Sequence, residues 1–175
     1  MNKVQRYLHW LRRIKYCRGF GVQSPSAYSF IRYVIDSLTR KRMELYFRIA
    51  NFRQASLWID YCRRDDNIAT YVQRGCQATR VMNICDSKHV IDNSKIEVLR
   101  ICPIDGCDTI LDVALKHVDD CTLFIIEDIG YNDTAKRLWQ TLHESNLTSV
   151  SYDLYYLGIA FFDLKRFKNN YIVNF

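Results

Sequence analysis

Several features that place a protein in a well-known class are missing from this 175-residue sequence. No apolar run approaches the length that spans a membrane, which argues against a transmembrane segment. The first turns of the chain are interrupted by Arg6, His9, Arg12 and Arg13, so they lack the pattern of a secretory signal. There is no internal repeat, low-complexity tract or linker, and no glycine–lysine phosphate loop. These absences predict one compact globular unit.

Clustered metal ligands are also lacking. The four histidines are scattered, and the seven cysteines contain no Cys-x-x-Cys pair. Zinc sites need such residues at short spacing, so we predict no metal site. Most of the cysteines adjoin apolar residues, which is typical of reduced, buried thiols and predicts a cytoplasmic protein: Cys62, Cys76, Cys85, Cys102 and Cys121.

Acidic residues are absent from residues 1–35, which carry seven basic side chains. The other 140 residues have almost no net charge, with 18 basic and 19 acidic side chains. Residues 3–15 predict an amphipathic helix, because apolar side chains recur on one face: Val4, Tyr7, Leu8, Leu11 and Ile14. The simpler interpretation is a surface helix docked by this apolar stripe. The alternative is a helix that binds an anionic membrane or a nucleic acid.

Strand and helix patterns alternate along the rest of the chain, which predicts an α/β fold. Strands are expected at Ser56–Tyr61, Arg80–Cys85, Ile96–Cys102, from Cys121 to about Gly130, Val150–Phe162 and Tyr171–Phe175. Helices are expected at residues 25–38, 41–53, 67–74, 108–118 and 131–145. The turn before the final strand is too short for a parallel crossover, so the last two stretches predict an antiparallel hairpin. Residues 1–55 then form a helical extension packed on a core of residues 56–175.

Two separated segments resemble class I S-adenosylmethionine (SAM)-dependent methyltransferases. The first is Gly19-Phe-Gly-Val-Gln-Ser-Pro-Ser-Ala-Tyr-Ser-Phe-Ile31, which is similar to a segment that precedes the methyltransferase domain in one bacterial subfamily. The second comprises Ile-Glu-Asp-Ile-Gly-Tyr at 126–131, Trp139 and the aromatic run 153–162. Together they cover about a third of the chain. The resemblance implies a Rossmann-like sheet that ends in a reversed strand, and it implies SAM as the cofactor.

The resemblance also assigns candidate cofactor-binding residues, which are Asp60, Tyr61, Asp86 and Asp128. Asp60 matches the acid that opens the family's glycine-rich loop, although it could instead cap or pair locally with Arg63 or Arg64. Asp86 falls near the ribose-binding acid. Glu127 and Asp128 are adjacent at a strand end, so they are expected to point to opposite faces, with structural capping as the role of one.

The chain departs from the family pattern where the cofactor would bind. The loop from Tyr61 to Asn67 contains no glycine, and Tyr61 and Arg63 would project into space that the family leaves open. Only one apolar strand lies between the Cys85 region and Cys121, where the full fold needs two. One strand–helix unit is therefore expected to be missing or collapsed, and the predicted fold is a class I methyltransferase type reduced in size.

Three hypotheses about function remain open. The leading one is a degenerate, non-catalytic relative that acts in binding or scaffolding, with a protein partner or a second copy of itself. The second is an active methyltransferase that uses Asp60, Asp86 and Asp128 in an atypical SAM pocket. The third is a binder of nucleic acid or of a membrane surface through the basic N-terminal helix. No catalytic residue is assigned, because no acid/base or nucleophile pairing has a recognisable local frame.

Overall fold

The protein folds around one seven-stranded sheet flanked by helices, so the α/β prediction is confirmed. The structure, a computed structural model, describes residues 7–8, 11–17, 21–35, 42–64, 66–85 and 95–174. The strands are β1 (Leu57–Tyr61), β2 (Arg80–Asn83), β3 (Val98–Ile101), β4 (Leu123–Glu127), β5 (Val150–Asp153), β6 (Leu157–Phe161) and β7 (Asn169–Ile172). The α-helices are α1 (Pro25–Phe30), α2 (Arg42–Arg53), α3 (Ile68–Gly75), α4 (Cys107–Ala114) and α5 (Asp133–Glu144).

The strand order is β2-β1-β3-β4-β6-β5-β7. The first four strands in this order are mutually parallel, whereas β6 runs antiparallel to both β4 and β5. The carboxyl ends of β1, β3 and β4 therefore meet at one edge of the sheet, which we call the carboxyl edge. In open α/β sheets this edge is the usual place for ligand contacts.

The stretch from Val150 to Phe162 is not one strand, as predicted, but two strands joined by a tight turn. Tyr155 lies at the turn with a φ of +70°, and its amide donates to the Asp153 carboxylate at 2.7 Å. An Asp side chain that accepts from the backbone two residues on stabilises such a reversal without glycine or proline. The sequence therefore carried only a weak turn signal.

The predicted hairpin between the last two stretches is wrong. The antiparallel hairpin lies within residues 150–161, and the final strand β7 pairs with β5 in parallel. Both edges of β6 are already occupied, by β4 and β5. The chain therefore passes the start of β5 and adds β7 on its far side.

Two apolar layers enclose the sheet, because successive side chains of a strand point to opposite faces. One layer holds Trp58, Val98 and Ile125 against α1, α2 and α3. The other holds Leu99 and Phe124 against α4 and α5. Helix α1 begins as its sequence predicts, with Pro25 in the first turn and the Ser24 hydroxyl accepting from the Ala27 amide at 3.4 Å.

The N-terminal segment is not docked by its apolar stripe where the structure describes it. Residues 7–8 and 11–12 are helical, but the side chains of Tyr7, Leu8, Leu11 and Ile14 are 39–60% exposed. The segment is held instead by Arg13, which donates to the Asp153 carboxylate at 2.9 Å and to its carbonyl at 2.7 Å. Val4 lies outside the described residues. The docked interpretation is thus wrong for these four side chains.

Candidate functional site at the carboxyl edge

The structure separates the four residues that the resemblance assigned to the cofactor. Asp60 lies on β1 with only 2% of its surface exposed, on the face covered by α2. Tyr61 points to the opposite face and donates its hydroxyl to the Asp105 carbonyl at 2.6 Å. Asp128 follows β4 and pairs with Arg64. Asp86 falls outside the described residues. Only Asp60 and Asp128 therefore belong to one cluster.

That cluster is centred on Arg100, a fully buried arginine on β3. Its Nε donates to Glu127 Oε1 at 3.1 Å, and its two Nη atoms donate to Asp60 at 3.4 Å and Asp66 at 2.5 Å. The guanidinium also lies over the ring of Tyr46, 4.8 Å from the ring centre. The expected local pairing of Asp60 with Arg63 or Arg64 is wrong, because its partner comes from the neighbouring strand.

Strand register explains why these side chains meet. Asp60 and Arg100 are directly paired positions of β1 and β3, so they share a face. Arg100 pairs with Ile125 on β4, and Glu127 lies two residues further along the same face. Asp66 reaches Arg100 from the loop between β1 and α3.

A second arginine closes the cluster from the solvent side. Arg64 donates to Glu127 Oε2 at 3.4 Å and also binds the Asp128 carboxylate. Asp128 has a φ of +60°, which breaks the strand alternation and lets both adjacent acids reach one guanidinium. The prediction that Glu127 and Asp128 diverge is therefore wrong. Neither caps the next helix, because Asn132 accepts from the Ala135 amide at 3.1 Å.

The hydroxyl of Tyr46 completes the cluster, and the carboxyl groups of the cluster set its charge. The Tyr46 hydroxyl of α2 donates to Glu127 Oε1. We call this set the ion cluster: Tyr46, Asp60, Arg64, Asp66, Arg100, Glu127 and Asp128. Its four carboxyl groups outnumber its two guanidinium groups. Burial, reinforced by the charges of Asp66 and Glu127 and only partly opposed by Arg100, raises the pKa of Asp60 to about 6.

The surroundings of Arg100 favour its charged form, whereas those of Asp60 favour its neutral form. Burial disfavours the charged guanidinium, but the oxygen groups of Tyr46, Glu127, Asp66 and Asp60 outweigh burial and raise the pKa of Arg100. The carboxyl groups around Arg100 therefore favour its charged form. A buried charge is tolerated only when it is paired in this way.

The pKa of Asp60 predicts a pH-dependent stability that replacement by asparagine removes. Asp60 releases its proton near pH 4 in the unfolded chain but near pH 6 in the folded protein, so the folded state binds more protons between these values. The contribution of Asp60 to stability is full below about pH 4 and is lost as the pH rises through about 6. Relative to Asp60→Asn, the wild-type free energy of unfolding should fall by about 3 kcal/mol across this window.

Urea denaturation of both proteins between about pH 3.5 and about pH 7 measures this difference. Asp112→Asn, at an exposed position of α4, is the matched control and should follow the wild-type curve at every pH. If the free energies of unfolding of the wild type and of Asp60→Asn change with pH in parallel, the pKa of Asp60 is the same in the folded and the unfolded protein.

A disulfide bond lies immediately beyond the same strands. Cys62 and Cys102 follow β1 and β3 and are bonded, with their Cα atoms 5.0 Å apart. Both are almost fully buried, so the prediction of reduced thiols is wrong for this pair. The other cysteines of the described residues form no disulfide bond: Cys17, Cys76, Cys85, Cys107 and Cys121.

The carboxyl edge does open into a cavity, but beyond β4 rather than above β1 and β3. This cavity has a volume of about 440 Å³ and is lined by residues of α5 and of the turns before α5 and after β5. Its aromatic contacts are Trp139 stacked on His143, with ring centres 5.9 Å apart, and Tyr131 against Tyr155 at 5.0 Å. Neither Asp60 nor Asp128 lines it.

Sequence reasoning missed Tyr46, Asp66 and Arg100. One signal was available for Arg100: it stands in an otherwise apolar strand, Val98–Ile101, whose every residue is buried. A charge in such a strand must have a buried partner. Tyr46 carries no comparable signal, because its position on α2 is that of an ordinary core aromatic.

One group of potential metal ligands lies close together within the described residues. Asp119, Asp120 and Cys121 bring potential ligand atoms within 4.8 Å of one another. The two carboxylates are paired with Lys95 and Lys165, at 3.4 and 3.3 Å. Within the part of the chain that the structure describes, no helix is both long and apolar enough to cross a membrane.

Comparison with known proteins gives one informative result. The sequence matches no protein-family model, and no curated protein matches it significantly. Among solved structures, the crystal structure of cofactor-bound Rv0187 from MTB is similar, with a TM-score of 0.55 and 9% sequence identity. The match covers 91% of this chain and 96% of that chain. At this identity the likeness extends to the α/β fold.

Proposed function

We propose that this protein is a non-catalytic relative of class I SAM-dependent methyltransferases that works by binding or scaffolding. The arrangement of the sheet and a structural neighbour support the methyltransferase-like class. Parallel strands β2, β1, β3 and β4 are followed by a reversed strand, β6, and helices cover both faces. The structural neighbour, which spans most of the chain, is described as cofactor-bound.

The ion cluster is the observation that carries the non-catalytic part of the proposal. The resemblance places the methionine part of SAM beside the loop after β1, where a glycine-rich backbone leaves room. Here Asp60, Arg100 and Glu127 occupy the carboxyl ends of β1, β3 and β4, respectively, and are almost completely buried. Arg64 and the Cys62–Cys102 disulfide add further bulk at this edge. A cofactor would have to displace buried, mutually paired charges.

Calorimetric titration with SAM and with S-adenosylhomocysteine tests the proposal. We expect no binding heat from the folded protein up to millimolar ligand, while an active class I methyltransferase titrated in parallel serves as the positive control. Micromolar binding that Asp86→Ala weakens would support the second hypothesis, an active enzyme with an atypical pocket. Circular dichroism of the same sample verifies that the protein is folded, so that an absence of binding heat is not due to unfolding.

The exposed apolar stripe of the N-terminal segment favours a second candidate function, binding to an anionic surface. Tyr7, Leu8 and Leu11 are exposed in a segment that has basic but no acidic residues. Such a helix can insert its apolar side chains between lipid headgroups while its basic residues contact phosphates. Absence of salt-sensitive binding to anionic vesicles and to RNA would remove this candidate.

A further inference from the structure

A second cavity lies at the amino edge of the sheet, opposite the ion cluster. It has a volume of about 320 Å³ and opens between α1, α2 and the β5–β6 hairpin. Asp120, which precedes β4, and Phe161, at the end of the reversed strand β6, both line it. These positions place it on the edge where β4 begins, away from the carboxyl edge.

Aromatic rings form the walls of this cavity. Phe30 is central, with its ring centre 5.1 Å from Phe52, 4.9 Å from Tyr152 and 5.2 Å from Phe161. Phe30 and Tyr152 are 5% and 2% exposed, so packing fixes the floor. By contrast, Phe52 is 50% exposed and Tyr33 is 79% exposed at the mouth. The cavity thus combines a rigid aromatic floor with exposed aromatic surface that a planar ring can cover.

Two arginines and two aspartates line the cavity, and among the described residues Arg53 is the one of the four that has no ionic partner. The Asp163 carboxylate pairs with Arg166 at 3.1 Å, and Asp120 pairs with Lys165 at 3.3 Å. Arg53 also lines the cavity and donates one N–H to the Cys121 carbonyl. Its buried Nε has no hydrogen-bond partner, and no carboxylate of the described residues pairs with it. A buried, unpaired guanidinium N–H favours an anionic acceptor.

We propose that this cavity binds a small planar aromatic monoanion, of the aryl carboxylate class. The aromatic ring packs against Phe52 and Tyr33 above the Phe30 floor, and the carboxylate accepts hydrogen bonds from Arg53. The volume lies within the range of small-molecule sites, which are mostly apolar with a few placed polar groups. The proposal does not depend on the non-catalytic assignment, because the two concern opposite edges of the sheet.

Calorimetric titration of the full chain with three probes tests the ligand class. The probes are 2-naphthoate, its neutral analogue 2-naphthamide and the non-aromatic anion cyclohexanecarboxylate. We expect 2-naphthoate to bind about tenfold or more tightly than either analogue, because only it satisfies both the aromatic walls and the guanidinium. Equal affinity for 2-naphthamide would overturn the anionic requirement. No detectable binding of 2-naphthoate at millimolar concentration would overturn the site.

Two variants locate the binding. Arg53→Gln should reduce the affinity for 2-naphthoate about tenfold while leaving that for 2-naphthamide unchanged. Tyr33→Ala, at a position that is 79% exposed, should weaken the binding of both naphthyl probes. Arg137→Gln, which removes an exposed arginine from α5, is the charge-matched control and should bind like the wild type. Binding that survives both Arg53→Gln and Tyr33→Ala would place the probe elsewhere and contradict the proposal.

Discussion

Replacing Arg100 with leucine is expected to lower the free energy of unfolding by about 3–5 kcal/mol. Leucine fits an apolar strand, so the loss of stability arises from the carboxyl groups that Arg100 pairs with in the wild type. Asp60 and Glu127 are 2% and 0% exposed and would lose their shared cation. Burying carboxylates without a counter-charge is what makes the removal of one partner costly. Urea or guanidinium denaturation monitored by tryptophan fluorescence gives the difference.

Two companion variants distinguish this explanation from a simple loss of packing. The triple variant Arg100→Leu, Asp60→Asn, Glu127→Gln removes the stranded charges and should regain a large part of the lost stability. Arg63→Leu, at an exposed position one residue from Arg64, should change stability by less than about 0.5 kcal/mol. If Arg100→Leu alone unfolds no more easily than Arg63→Leu, the ion cluster does not stabilise this edge.

Removing the Cys62–Cys102 disulfide is expected to lower the free energy of unfolding by about 4 kcal/mol. The two cysteines are separated by 40 positions, and the chain-entropy relation gives about 4 kcal/mol for a closed loop of this size. The bond joins β1 to β3, the two strands that carry Asp60 and Arg100. Denaturation of the double variant Cys62→Ala, Cys102→Ala, compared with the oxidised wild type, measures the effect.

Reductant provides an independent check of the same bond. The equilibrium unfolding curves with and without a phosphine reductant should differ for the wild type and should coincide for the double variant. Cys121→Ala, which replaces an exposed free thiol, should respond to the reductant as the wild type does. Identical wild-type curves in the two conditions would mean that the cysteines are reduced in the folded protein or that their bond does not stabilise it.

The sequence predicts most of the elements of this fold because the strands are short apolar runs bounded by polar turns. Helix α3, strand β3 and strand β4 fall within the predicted ranges or within a residue of them. The failure at residues 150–162 has a local cause, since a tyrosine at positive φ is an uncommon turn residue. The partner of β7 depends on which sheet edge remains open, and the pattern of one segment does not contain that information.

The candidate site was harder to predict than the fold. The sequence drew attention to Asp60 and Asp128 and to the missing glycines, but it assigned both acids to a cofactor or to local partners. Their partners, Arg100 and Arg64, are 40 and 64 positions away from the acids they bind. Such pairing follows from strand order and register, which composition and spacing alone do not provide.

The buried arginine has a further consequence for how the parallel strands align. All residues of β3 and β4 are buried, so a slip of one position would exchange one apolar face for another and meet little resistance from hydrophobicity. Arg100 removes that ambiguity. A slipped β3 would turn the guanidinium toward the layer formed by Leu99 and Phe124, away from every carboxylate of the cluster. The same charges that close the carboxyl edge thus select a single alignment of the central strands.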